Sequence, residues 1–199
     1  MPIAWLAELL QKIAETPFLD WQLLTKRIEL WSDRLQAVAA SDNKVATTMA
    51  VNWLAGNPPS NVGLGVSVEN QRCADERIPL LLRTPTKMRF LSCEPLLEEI
   101  NILKLLPTFS DPDGTCGFEP NQLHWAIIGG ESGSKDSRIF DLDWGRSLIG
   151  QCRTAGIYPF LKQAGSNPVD KRIPIKLRDK KGADLYELPI ELQVQEIPQ

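Results

Sequence analysis

The chain has 199 residues, 43% of them hydrophobic and 24% charged, which is enough to bury a core and is the composition of an ordinary soluble globular protein. A formal charge of −3 and a pI near 5.3 provide no general field for nucleic acid or an anionic membrane, so contact with nucleic acid is left to a local basic groove. No apolar run approaches the roughly 20 residues of a bilayer span, and the N-terminus lacks the basic flank and cleavage site of a signal peptide, so a cytoplasmic protein with no membrane contact is expected.

Residues Ile3 to Ala14 place Trp5, Leu6, Leu9, Leu10 and Ile13 at helical spacing, and Thr16-Pro17 ends the pattern. Phe18 to Thr25 reads as the first strand, with Lys26-Arg27 at its carboxyl end. Glu29 to Ala40 is an amphipathic helix with Leu30, Trp31, Leu35 and Val38 inward, and Ala46 to Leu54 a further helical segment closed by the Gly56-Asn57-Pro58-Pro59 turn. Asn61 to Val68 is a strand in which Gly63 and Gly65 alternate with Leu64 and Val66, and Glu69-Asn70 follow it. Arg72 to Leu82 is a helix that Pro79 should shorten or kink. Met88 to Ser92 is a strand ending at Cys93-Glu94-Pro95, and Ile100 to Leu106 a short helix.

Residues 107–122 are rich in turn formers and read as an excursion from the core. Trp125 to Gly133 is a short apolar strand that stops at Gly129-Gly130, delivering Glu131 and Ser132 onto a loop. Asp141 to Ala155 is a helix capped by Asp141 or Asp143, with Trp144, Leu148, Ile149 and Cys152 on one face. Tyr158 to Lys162 is the last core strand, running into Gln163. The expected division is a partial barrel over 1–165 and an extension over 166–199, whose alternating Leu188 to Ile197 tail packs over the outside.

Strand alternating with helix indicates a parallel sheet with helical crossovers, and parallel topology puts every strand end on one rim. A doubly wound sheet would gather function at one switch point, whereas five strands with polar ends favour a (β/α) barrel. The rim would carry Glu69, Glu94 and Glu131 with the cations Lys26, Arg27 and Lys162. That mixture suits a small zwitterionic ligand, because an ammonium wants carboxylates and a carboxylate or phosphate wants Lys or Arg. Gly129-Gly130 admits a phosphate cradle, although no complete dinucleotide or P-loop motif is present. Ser132, Ser134 and Ser137 make no serine hydrolase, since G-x-S-x-G is absent and the sole histidine, His124, stands at a strand entrance. Cys73, Cys93, Cys116 and Cys152 have no metal or iron–sulfur spacing and read as small buried hydrophobes. The six tryptophans read as core, and the basic run Lys171 to Lys181 as a solvated segment.

The ordered set FLDWQLLTKR, NVGLGVSVENQ, ADERIPLLL, MRFLSCEPLL, WAIIGGESG and GQCRTAGIYPFLKQ resembles a phage-associated and bacterial family of uncharacterised, radical-SAM-like proteins, also called three-Cys-motif proteins. The resemblance implies an α/β fold, a (β/α) barrel of radical-SAM/TIM type with parallel strands. It implies S-adenosylmethionine across the strand ends, facing Glu69, Asn70, Glu94 and Glu131, and a [4Fe–4S] centre held by cysteines in an N-terminal segment. This chain opens at the helix that follows that segment. The barrel is therefore expected to be open, and the chain to be the C-terminal part of such a protein, inactive alone, completed by the missing segment or a partner protein. The alternative is a non-catalytic binding module that uses the rim or the open sheet edge to hold a nucleotide-like ligand or a partner. A third reading is a lyase or isomerase forming an imine at Lys162. The resemblance carries no established reaction or substrate.

Overall fold

The computed structural model describes residues 2–106, 122–133 and 136–198. Most of the expected excursion over 107–122, with Cys116, lies outside the described residues, as does Ser134. The chain opens on α1 (Ile3–Glu15), which buries Leu6, Leu10 and Ile13. Trp5 is 62% exposed, against expectation, because it stands about 100° around the helix from Leu6 and so leaves the stripe that faces the core. The first strand, β1 (Trp21–Thr25), starts later than expected. Phe18 is exposed in a turn closed by the Leu19 N–H donating to the Thr16 carbonyl.

A 3-10 turn precedes α2 (Trp31–Ala39), which packs against α3 (Lys44–Leu54) through the edge-to-face rings of Trp31 and Trp53, 5.2 Å apart. Then come β2 (Val62–Ser67) and α4 (Gln71–Arg83). The Asn70 side chain caps α4 by accepting from the Cys73 N–H at 2.9 Å. The helix runs unbroken through Pro79: Ile78, Leu81 and Leu82 bury it. The Arg89 guanidinium donates to the Leu81 and Thr84 carbonyls at its end, where cations are favoured.

After β3 (Met88–Cys93), the helix expected over Ile100–Leu106 is only a 3-10 turn, Leu103–Leu105. The reason is competition: the Gln151 side chain holds the Ile102 N–H and donates to the Ile100 carbonyl, at 2.8 Å each, and that carbonyl is the one an α-helix starting there would bond to the Lys104 N–H. The chain continues through β4 (Trp125–Gly129), β5 (Phe140–Asp141), α5 (Leu142–Thr154, capped by Asp141), β6 (Tyr158–Gln163), β7 (Pro168–Asp170) and β8 (Ile173–Pro174). Strands β5, β7 and β8 form a small separate sheet, each too short for alternation to reveal.

The main sheet has the order β1-β2-β3-β4-β6, every pair parallel. It is a mixed α/β architecture in which sequential strands are neighbours, with no reversal of direction. Its two faces differ. Val62, Leu64, Val66, Leu91, Cys93, Ala126, Ile128 and Leu161 belong to one core together with residues from α1 to α5. The alternate residues, Gln22 and Leu24, Gly63 and Gly65, Met88 and Phe90, Trp125 and Ile127, and Phe160, lie on the opposite face and outside that core. Phe90, Trp125 and Phe160 form an aromatic ridge there, with centroids 6.2 and 5.7 Å apart.

The sheet edges also differ. Residues 194–196 run antiparallel beside β6, with the Leu161 N–H donating to the Val194 carbonyl at 2.7 Å and the Glu196 N–H to the Pro159 carbonyl at 3.0 Å. Leu188 and Leu192 enter the core from the same tail. At the other end, alternate backbone groups of β1 point away from β2 and find no strand among the described residues.

Candidate functional site

Because all five strands run the same way, Lys26, Glu69, Glu94 and Glu131, which follow the ends of β1 to β4, and Lys162, in the last two residues of β6, share the carboxyl rim. They gather there as three charge clusters.

At the ends of β1 and β2, Glu69 takes the Lys26 ammonium at 2.5 Å and the Arg77 guanidinium at 2.9 Å. Arg77 also donates to the Ser67 carbonyl at 2.7 Å, which locks α4 to the strand it follows. Burial pushes the Glu69 carboxyl up, but the hydrogen bond from Lys26, with its own backbone N–H and the Cys73 thiol, outweighs that and holds it below the ordinary value. The Cys73 thiol is pushed up, first by burial.

At the ends of β3, β4 and β6, Glu94 accepts from Lys162 and from the Gln163 amide, each at 3.1 Å. Gln163 also donates to the Gly130 carbonyl at 3.1 Å. On the loop after β4, Glu131 binds Arg138 through Nε at 2.9 Å, Nη2 at 2.7 Å and the Arg138 backbone N–H at 2.8 Å. These bonds, side chain first, hold the Glu131 carboxyl down to about 2. Arg138 is raised, first by Glu131 and also by the charge of Glu69, which ties the loop cluster electrostatically to the first. The clusters are stitched laterally: the Leu97 N–H donates to the Glu69 carbonyl and the Leu96 N–H to the Gly129 carbonyl, both at 2.9 Å.

Several expected site residues have other partners. Arg27 pairs with the exposed Glu29, Asn70 is the cap of α4, and Ser132 is exposed. Gly129 and Gly130 do not form an open cradle. A Cβ on Gly129 would touch the Glu94 side chain at 3.4 Å, and one on Gly130 would overlap the Ala164 carbonyl and meet the Phe140 Cβ at 2.8 Å. Their bareness admits the chain's own side chains and backbone. Sequence reasoning missed Arg77 and Arg138. The signal for Arg77 is its place two turns into the helix that follows Glu69; for Arg138 there is none, since it returns to Glu131 through an irregular loop.

With each carboxylate already holding a cation, the rim can recognise a ligand by exchange of partners more readily than it can move protons. The Lys162 side chain is engaged by Glu94. Cys73, Cys93 and Cys152 come from α4, β3 and α5 and are free thiols, and burial holds Cys93 well above the ordinary thiol value and pushes Cys152 up to about 12. These are neutral thiols, and among the described residues no group of His, Cys, Asp and Glu is placed to hold a metal ion. The three cysteines do not fit a [4Fe–4S] cluster, which needs neighbouring thiolates.

Fold and site together define a mixed α/β protein with a parallel sheet and a charge-paired rim at its strand ends. The chain belongs to the family described as protein of unknown function (DUF5131), whose model matches residues 1–188. No curated protein and no solved structure matches it.

Proposed function

We propose that the chain is the rim-bearing part of an open (β/α) barrel of the radical-SAM-like type, and that its rim binds a small zwitterionic ligand for which S-adenosylmethionine is the first candidate. The observation that carries this reading is the gathering of three carboxylate–cation clusters on the carboxyl rim of a sheet with sequential parallel order and helices against one face. A doubly wound sheet has helices on both faces and reverses its order, which this one does not. The ligand's ammonium would exchange with Lys26 or Lys162, and its carboxylate with Glu69 or Glu131. No redox step is assigned to this chain, because the cysteines among the described residues do not fit a cluster. A segment or partner chain that supplied one would add to the sheet at the unpaired edge of β1.

The second reading is a binding module without chemistry of its own, in the cytoplasm, favoured by the complete charge pairing of the rim. Calorimetry with S-adenosylmethionine tests the ligand in both. Binding that Glu131→Ala abolishes, with the circular dichroism spectrum unchanged, is the expected result. No heat at millimolar ligand, or binding equal in Glu131→Ala, refutes the rim site. A stable complex with a second protein in the absence of ligand would then leave the module reading.

A further inference from the structure

The rim does not exhaust the sheet. At the opposite, amino ends of β1 to β4 a cleft of about 220 Å³ opens on the face away from the helices. Its apolar lining includes Met88, Trp125, Ile197 and Pro198, and its polar lining includes Asp20, Gln22, Lys87 and His124. Three observations set it apart.

First, three of its polar side chains are available. On the rim, Glu69, Glu94 and Glu131 are all paired, whereas Asp20, Gln22 and Lys87 make no side-chain hydrogen bond or ion pair among the described residues. Second, its walls are braced. The Trp125 indole N–H donates to the Glu196 carbonyl at 2.9 Å, and the Trp125 ring packs against Phe90 and Phe160. That bond also holds the tail whose Ile197 and Pro198 form one lip. His124 accepts the Arg89 backbone N–H at Nδ1, 3.1 Å away, which places the neutral ring's hydrogen on Nε2 as a donor. Third, Gly63 lines it without a side chain; a Cβ there would meet the terminal methyl of Met88 at 2.5 Å, so the bare Cα is what lets the Met88 side chain lie over β2 as a wall of the cleft.

The chemistry specifies a ligand. The cleft is smaller than the ~300 Å³ at which pockets for drug-sized molecules begin, so it admits a flat ring and leaves the remainder at its mouth. Gln22 offers a donor and an acceptor side by side, the pattern that pairs with N6 and N7 of adenine. Asp20 adds an acceptor for an exocyclic amine or a sugar hydroxyl. Lys87, exposed at the start of β3, is the cation for an anionic group outside the slot. We propose that the amino-end cleft binds a nucleoside monophosphate of the adenine type, ring inward between Met88 and Trp125, phosphate on Lys87. This site is separate from the rim and does not depend on the reading given for it.

His124 is the sole histidine, so one imidazole resonance reports the cleft. Titrating the full chain with adenosine monophosphate, at a pH where His124 is neutral, should shift the His124 and Trp125 indole signals saturably. Gln22→Ala and Lys87→Ala should each weaken binding about tenfold, the loss of a charge-assisted or paired hydrogen bond. Both residues lie on the surface, so neither variant threatens the fold. Glu131→Ala should leave the titration unchanged. The proposal is overturned if millimolar nucleotide moves neither signal, if both cleft variants bind like the parent, if inorganic phosphate alone reproduces the shifts, or if Glu131→Ala abolishes them.

Discussion

Alanine at position 130 separates a glycine kept for packing from one kept for a ligand. A methyl there would overlap the Ala164 carbonyl oxygen and stand 2.8 Å from both the Ala164 carbonyl carbon and the Phe140 Cβ. Neither neighbour is the movable end of a side chain. The loop cannot retreat cheaply, because the Gly130 N–H donates to the Gln163 carbonyl at 3.0 Å and the Gly130 carbonyl accepts from the Gln163 amide at 3.1 Å. Overpacking of this kind costs about 1–3 kcal/mol, and relief by breaking one of those hydrogen bonds adds about 1 kcal/mol. Gly130→Ala should therefore lower stability by about 3 kcal/mol. With a urea m-value of about 2 kcal/mol/M, the midpoint falls by about 1.5 M. Gly150→Ala is the matched control: in α5 with nothing within 4 Å of the added Cβ, it should gain about 0.5–1 kcal/mol and raise the midpoint by about 0.3 M. A Gly130→Ala midpoint equal to the parent's would refute the packing argument and restore an open cradle.

Two further outcomes concern titration. Burial first, and then the charge of Arg89, lower the His124 pKa from its ordinary 6.5, so the unfolded chain takes up a proton at a pH where the folded one does not. The resulting stability is complete above 6.5 and lost as the pH falls from 6.5 to the folded value; His124→Asn, which keeps an acceptor for the Arg89 N–H, should flatten that part of the stability profile in urea titrations at stepped pH. The Glu131 carboxyl should titrate near 2 in carbon-detected NMR, and Arg138→Ala should return it toward 4.5. A Glu131 value unchanged by Arg138→Ala would mean that the loop pairing is absent in solution.

The sheet was legible from the chain because buried parallel strands are short apolar runs, and each here ends abruptly in charge. Val62 to Ser67 into Glu69, and Trp125 to Gly129 into Glu131, mark the strand and its carboxyl end together. Position along the chain also placed the rim, since parallel strands with crossovers must put those ends side by side. The short elements escaped. The two-residue and three-residue strands of the small sheet have no period to read, and the helix expected at Ile100 yielded to a glutamine 49 positions from Ile102. Trp5 looked internal by spacing and faces solvent because one helical step carries it off the buried stripe.

The candidate site divides the same way. The residue types at the strand ends were determined by the chain alone: three carboxylates and two cationic ends. Which of them touch was decided only by the fold, which gave Glu69 two cations, Glu94 a lysine and an amide, and Glu131 the Arg138 of its own loop. The glycines changed meaning, since a bare Cα suits a ligand or a neighbouring backbone equally in sequence, and only the position of Ala164 tells them apart. The amino-end cleft had no sequence signature at all. Asp20 and Gln22 come from the start of β1, Lys87 from the approach to β3 and His124 from the approach to β4, and what gathers them is the register of a parallel sheet, a property of strand pairing that no local stretch contains.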